Sequence, residues 1–141
     1  MKIGYVVSVT LVAVIINCNA IIPDDVLKIW TSDITKHIST CICATGADEA
    51  IVMKYIFQSI YIDDPCFKCY LKCTLGNNDL FNSDGSIPVE NWIKVAGVNA
   101  TIVGKCVNLV QDRKDLCQKA FEYSRCIRRT VSGDSSLLPK I

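Results

Sequence analysis

Asp63-Asp64-Pro65-Cys66-Phe67-Lys68-Cys69-Tyr70-Leu71-Lys72-Cys73, read together with Cys117 and Cys126 further along, decides how this chain folds. Asp64 carries a helix-capping side chain and Pro65 suits the first helical position, so the pattern predicts a helix starting here. In that helix Cys69 and Cys73 stand one turn apart on one face, aimed at neighbouring elements. Cys117 and Cys126 behave differently. Nine residues at about 100° each turn through about 900°, so the two thiols project from opposite sides of their helix, roughly 13 Å apart along its axis. A bond between them is excluded, because the Cα atoms of a disulfide lie within about 7 Å. That helix must be tied to two different partners, one on each side. It is a central strut.

On both sides of this stretch apolar residues recur at helical spacing, and strict alternation is missing. A first helix is predicted from Pro23-Asp24-Asp25, with Leu27, Trp30, Ile34, Ile38 and Cys41 on one stripe and Gly46 as its break. Asp48 and Glu49 open a second through Ala50, Ile51, Tyr55 and Phe57; the third runs from Pro65 to Gly76. Asn77 to Ser86 is polar and reads as a surface loop. Pro88-Val89-Glu90 begins a short fourth helix with Trp92, Ile93 and Val95, ended by Gly97. Asn99 caps a fifth, with Ile102, Val103, Cys106, Leu109 and Val110 on its apolar face, and Asp115 starts the sixth. The expectation is an all-α, compact bundle of about six helices, cross-linked by disulfides around an apolar cavity. No repeat or internal linker interrupts it.

The start of the chain says where such cross-links would form. Met1-Lys2, an apolar run of about eleven residues from Val6 to Ile16, and Asn17-Cys18-Asn19-Ala20 make the pattern of a secretory signal peptide cut after Ala20. The run is shorter than the roughly twenty residues of a membrane span. The domain organisation is then residues 1–20 as signal peptide and 21–141 as one helical domain. Its tail, 132–141, ends in the apolar Leu137-Leu138-Pro139-Lys140-Ile141. Cleavage removes Cys18 from nine cysteines. The remaining even set, Cys41, Cys43, Cys66, Cys69, Cys73, Cys106, Cys117 and Cys126, suggests four disulfides and no free thiol in a secreted, extracellular domain. The 141-residue chain has 15 basic and 14 acidic side chains, for a net charge of +1. That balance offers no footprint for nucleic acid or an anionic membrane.

Eight cysteines allow 105 pairings, and spacing does not choose among them. Cys41 followed by Thr45-Gly46, Cys69-x3-Cys73 behind Asp63-Asp64-Pro65, Cys106, and Cys117-x8-Cys126 enclosing Ala120-Phe121 resemble the six-cysteine signature of insect odorant-binding proteins, the pheromone and general odorant-binding family. The likeness covers the whole of 21–141. It implies the pairs Cys41–Cys73, Cys69–Cys117 and Cys106–Cys126, in keeping with a strut tied on both sides. Cys43 and Cys66 depart from the six. A fourth bridge between them would join segments that Cys41–Cys73 already joins, with the register of Cys41 against Cys43 as its open point.

The resemblance implies a carrier of small hydrophobic molecules such as odorants, pheromones and related semiochemicals. A membrane chemoreceptor or a second copy of the chain is a further partner it leaves open. No nucleic-acid partner and no cofactor is expected. Four bridges exceed what a domain of this size requires for stability alone, whereas a hollow interior would need them. Bridges that serve only to resist proteolysis are the competing reading. Candidate wall residues are Phe57, Leu71, Leu75, Trp92, Val95, Val103, Val110, Phe121, Leu137 and Leu138. Tyr55, Tyr61, Tyr70 and Tyr123 are candidate hydroxyl donors to an alcohol, aldehyde or ester. The alternative is a secreted structural or venom-type interaction protein on the same scaffold with a solid interior.

Catalysis is not expected. His37 is the single histidine, no nucleophile-elbow motif is present, and oxidised cysteines cannot attack. One histidine in an oxidising compartment also disfavours zinc. Asn82, Asp84 and Gly85 resemble part of a calcium loop, but Leu80 and Asn91 would occupy its first and last ligand positions. Asn99-Ala100-Thr101 is a glycosylation acceptor, and Asn99 is equally a helix cap. His37 is expected to pair with Asp33, or to act as a pH switch. The apolar C-terminal segment is a candidate gate.

Overall fold

The computed structural model describes residues 22–133. Among them are seven helices and no strand: α1 (Asp24–Thr35), α2 (Ile38–Thr45), α3 (Glu49–Gln58), α4 (Pro65–Asn77), α5 (Val89–Trp92), α6 (Ala100–Val110) and α7 (Leu116–Val131). The expected first helix is two. Its stripe is interrupted at Lys36-His37, where His37 leaves helical geometry (φ −117°, ψ 9°) and α2 starts after it. Elsewhere the start signals act as read. Asp48, Asp64, Asn99 and Asp115 each accept backbone N–H bonds at the heads of α3, α4, α6 and α7. Gly46 ends α2 in the left-handed conformation, φ 68°.

α7 is the axis of the bundle. It packs against α4 on one side and α6 on the other, while α2 lies on α4. The disulfides follow the same plan. Cys69–Cys117 joins α4 to α7, Cys106–Cys126 joins α6 to α7, and Cys41–Cys73 joins α2 to α4. The half-turn rotation between Cys117 and Cys126 thus sends one bond to each flank.

Cys43 and Cys66 form no fourth bridge; both are exposed thiols. The reason is helical phase. Cys43 lies two residues beyond Cys41, about 200° around α2. Once Cys41 faces α4 to reach Cys73, Cys43 is turned to solvent. Cys66 lies seven residues before Cys73, about 10 Å along α4 from the only point where α2 is bonded.

The apolar interior falls into two clusters on either side of α7. One gathers Val52, Tyr55 and Ile56 of α3 with Phe67, Tyr70 and Leu71 of α4 and Phe121 of α7. The other gathers Trp92, Val103, Cys106 and Val110 with Tyr123, Cys126 and Ile127 of α7. α1 has no buried residue. It rests on the loop after α5: Trp30 Nε1 donates to the Ala96 carbonyl at 3.0 Å, and Val26 lies close over Gly97. The loop between α4 and α5 closes tightly on α7, with Gly85 (φ 84°) directly against Leu116. No helix among the described residues is long and apolar enough to cross a membrane.

Candidate functional site

The two clusters do not meet everywhere. Between them lies a cavity of about 430 Å³, within the range of small-molecule sites. Its walls come from α1 (Ile29, Trp30, Ile34), the end of α4 and its following turn (Thr74, Leu75, Leu80), α5 and the turn after it (Trp92, Val95, Ala96), and α7 (Ser124, Ile127, Arg128). Tyr55 of α3 and Tyr61 of the α3–α4 connection complete the inner wall. Asp33, Asp79 and Lys94 are exposed and stand at the rim.

Each wall has a local cause. Trp92 is held edge-on to Tyr123, ring centroids 5.0 Å apart, and its Nε1 donates to the Leu80 carbonyl at 2.7 Å. One side chain thereby fixes both α5 and the turn after α4. Tyr55 and Tyr61 meet edge to face at 5.1 Å, and Tyr61 leans on Phe121 at 5.7 Å. Such aromatic pairs contribute about 0.5–1.5 kcal/mol each beyond the area they bury. The ring cluster therefore sets a rigid back wall.

The inner end of the cavity is polar. Tyr61 Oη and Ser124 Oγ share a hydrogen bond of 2.9 Å. Burial pushes the Tyr61 phenol well above its usual range and neighbouring Tyr55 adds to this, while the Arg128 cation works against both. Arg128 lies over the faces of Trp30 and Tyr55, at 5.8 and 5.4 Å from the ring centroids.

Of the residues proposed from sequence, Leu75, Trp92 and Val95 line this cavity. Phe57 does not belong to it. It is 71% exposed, because α3 turns Val52, Tyr55 and Ile56 inward and leaves Phe57 on the opposite face. Leu71 and Phe121 are packed in the α3–α4 cluster, Val103 and Val110 in the α6–α7 cluster; all four are core rather than wall. Leu137, Leu138 and the segment expected to be a signal peptide, 1–20, lie outside the described residues. Tyr55 and Tyr61 reach the cavity, whereas Tyr70 and Tyr123 are buried away from it, their hydroxyls without partners among the described residues. Burial also raises these two phenols.

His37 is not in the wall, and Asp33 pairs with Lys36 at 2.7 Å instead. Position explains the exchange: Lys36, the residue after α1, keeps helical backbone angles three residues from Asp33, whereas His37 has left helical geometry. Asn99 is exposed, with its Oδ1 accepting the Ile102 N–H at 3.0 Å. Asp84 accepts from both the hydroxyl and the backbone N–H of Ser86, which lowers its pKa.

Sequence reasoning missed Ile29, Ile34, Ser124, Ile127 and Arg128. A signal was present for two of them. Cys117, Phe121, Ser124 and Arg128 follow one another at spacings of four, three and four, the stripe of an inward face.

The family model described as PBP/GOBP matches residues 26–130, which span α2 to α6 and nearly all of α1 and α7. The chain belongs to the PBP/GOBP family. Members of the PBP/GOBP family are small odorant- and pheromone-binding carriers, a binding family rather than a catalytic one. No curated protein and no solved structure matches the chain.

Proposed function

We propose that this chain is a secreted carrier that takes small hydrophobic molecules, such as odorants, pheromones or related semiochemicals, into the cavity beside α7. The observation that carries the reading is the cavity itself, about 430 Å³ with two tryptophans, two tyrosines and several aliphatic side chains in its wall. A scaffold serving only as an interaction surface has no use for such a hollow. Burial of apolar guest surface is worth about 25 cal/mol per Å², reduced by the cost of immobilising the guest. Three disulfides fix α2, α4, α6 and α7 relative to one another, and α4 and α7 among them line the hollow. The signal segment at 1–20 supplies the route out of the cell.

No reaction is proposed. The cavity wall includes a serine, but Ser124 bonds to a phenol rather than to a general base. The test is fluorescence titration with N-phenyl-1-naphthylamine. Saturable binding with one site per chain, reversed by long-chain alcohols or esters, supports the carrier. A linear, non-saturating signal from the folded, oxidised protein would refute it.

A further inference from the structure

Arg128 is a buried feature of the cavity that an apolar guest leaves unexplained. Its side chain is only 6% exposed, and none of the ion pairs among the described residues includes it. Its Nε is buried without a hydrogen-bond partner. The rings of Trp30 and Tyr55 face the guanidinium and hold it in place. Ring faces attract a cation but accept few of the five N–H bonds a guanidinium can give. A buried, permanently charged group with unfilled donors is costly to keep unless something pairs with it. Arginine is not able to escape that cost by losing its proton.

We propose that the cavity takes an amphiphile ending in a carboxylate, whose head sits on Arg128 and whose chain runs along Trp30, Leu75 and Val95 toward the rim. This deepens the carrier reading and rests on it. A guanidinium and a carboxylate match as a planar pair joined by two parallel hydrogen bonds. Ser124, one turn before Arg128 on α7, adds a second donor. Its hydroxyl shares one bond with that of Tyr61; with Tyr61 as the donor, the serine proton is left to turn to the guest. The head group therefore meets a cation and a hydroxyl at the buried end, and the apolar wall begins where they stop. An ammonium head would meet the same cation as a like charge. A hydroxyl or ester head would fill fewer of the donors.

The test compares guests that differ only in the head. Decanoic acid, 1-decanol and decylamine displace N-phenyl-1-naphthylamine from the oxidised protein near neutral pH, each kept below its aggregation limit. The expected ranking is decanoate about tenfold tighter than decanol, the margin between a charge-assisted and a neutral hydrogen bond, with decylamine weakest. Arg128→Met brings decanoate down to the level of decanol, and Arg128→Lys keeps part of the preference. In parallel, carbon NMR of carboxyl-labelled decanoate bound to the unmodified protein follows its titration. The bound acid should ionise about one pH unit lower than the free acid, a measurement that stands even if Arg128→Met does not fold. Equal displacement by decanoate and decanol, or a bound pKa raised above the free one, overturns the proposal while leaving the carrier intact. Failure of the probe to bind at all removes the carrier reading and this inference together.

Discussion

Removing the Cys69–Cys117 bridge is the most direct test of α7 as the axis of this bundle. The bond closes a loop of 48 residues. In the chain-entropy description the closed loop restricts the unfolded ensemble by about 14 cal/mol/K, or about 4 kcal/mol at 25 °C. The neighbouring bridge does not offset the loss: a route out to Cys106 and back from Cys126 to Cys117 is as long as the direct loop. Both half-cystines are only half-buried, so alanines in their place leave little void and the loop dominates. The Cys69→Ala/Cys117→Ala variant should therefore unfold about 4 kcal/mol more easily. With a slope of about 4 kcal/mol per molar guanidinium for a domain of this size, its midpoint should fall by about 1 M in a circular-dichroism titration. A loss below about 1.5 kcal/mol with the slope unchanged would refute the reasoning and mean that packing on α4, not the cross-link, positions α7.

Three further outcomes follow from the geometry. Both tryptophans of the chain line the cavity, so a guest that displaces the probe should change intrinsic fluorescence with the same midpoint; an unchanged spectrum would place the guest elsewhere. Burial raises the Tyr61, Tyr70 and Tyr123 phenols above their ordinary value of 10.0. Because the folded pKa exceeds the unfolded one, their contribution to stability is complete below about pH 10 and is lost as pH climbs toward the folded values. Phenolate absorbance from more than one of the four tyrosines in residues 21–141 before helix is lost would contradict their burial. Gly85→Ala forces a left-handed residue to carry a Cβ into Leu116, and should cost about 1–3 kcal/mol in urea unfolding; an unaltered midpoint would show that the loop does not press on α7.

The features legible in the sequence were those written in local chemistry. Asp64, Asn99 and Asp115 cap helices because a short acceptor ahead of an apolar run has few other uses. The Cys117–Cys126 rotation is helix geometry, and it forced two partners before any were known. The cavity was harder to read. Trp92, Leu75 and Val95 were found because a large or branched apolar side chain on an inward stripe is either core or wall, but Val103, Val110, Leu71 and Phe121 obey the same pattern and are core. Which inward residues border empty space depends on how two clusters fail to meet, a property of the packing and of no single helix. Arg128 is hard to read for a different reason. Beside Arg129 it reads as part of a solvated basic turn, and only the phase set by Phe121 and Ser124 separates the two. Cys43 and Cys66 show the limit of counting, since an even number of thiols says nothing about the angle at which each leaves its helix.

The three covalent ties join α2, α4, α6 and α7, and none reaches α1. Yet α1 supplies Ile29, Trp30 and Ile34 to the hollow and is seated by the Trp30–Ala96 bond and the Val26–Gly97 contact. The reinforced frame and the wall that α1 adds to it are thus separate pieces of the same small molecule. A displacement of α1 about residues 36–37 would strain no cross-link, so the residence time of a guest and the melting temperature of its container can evolve apart.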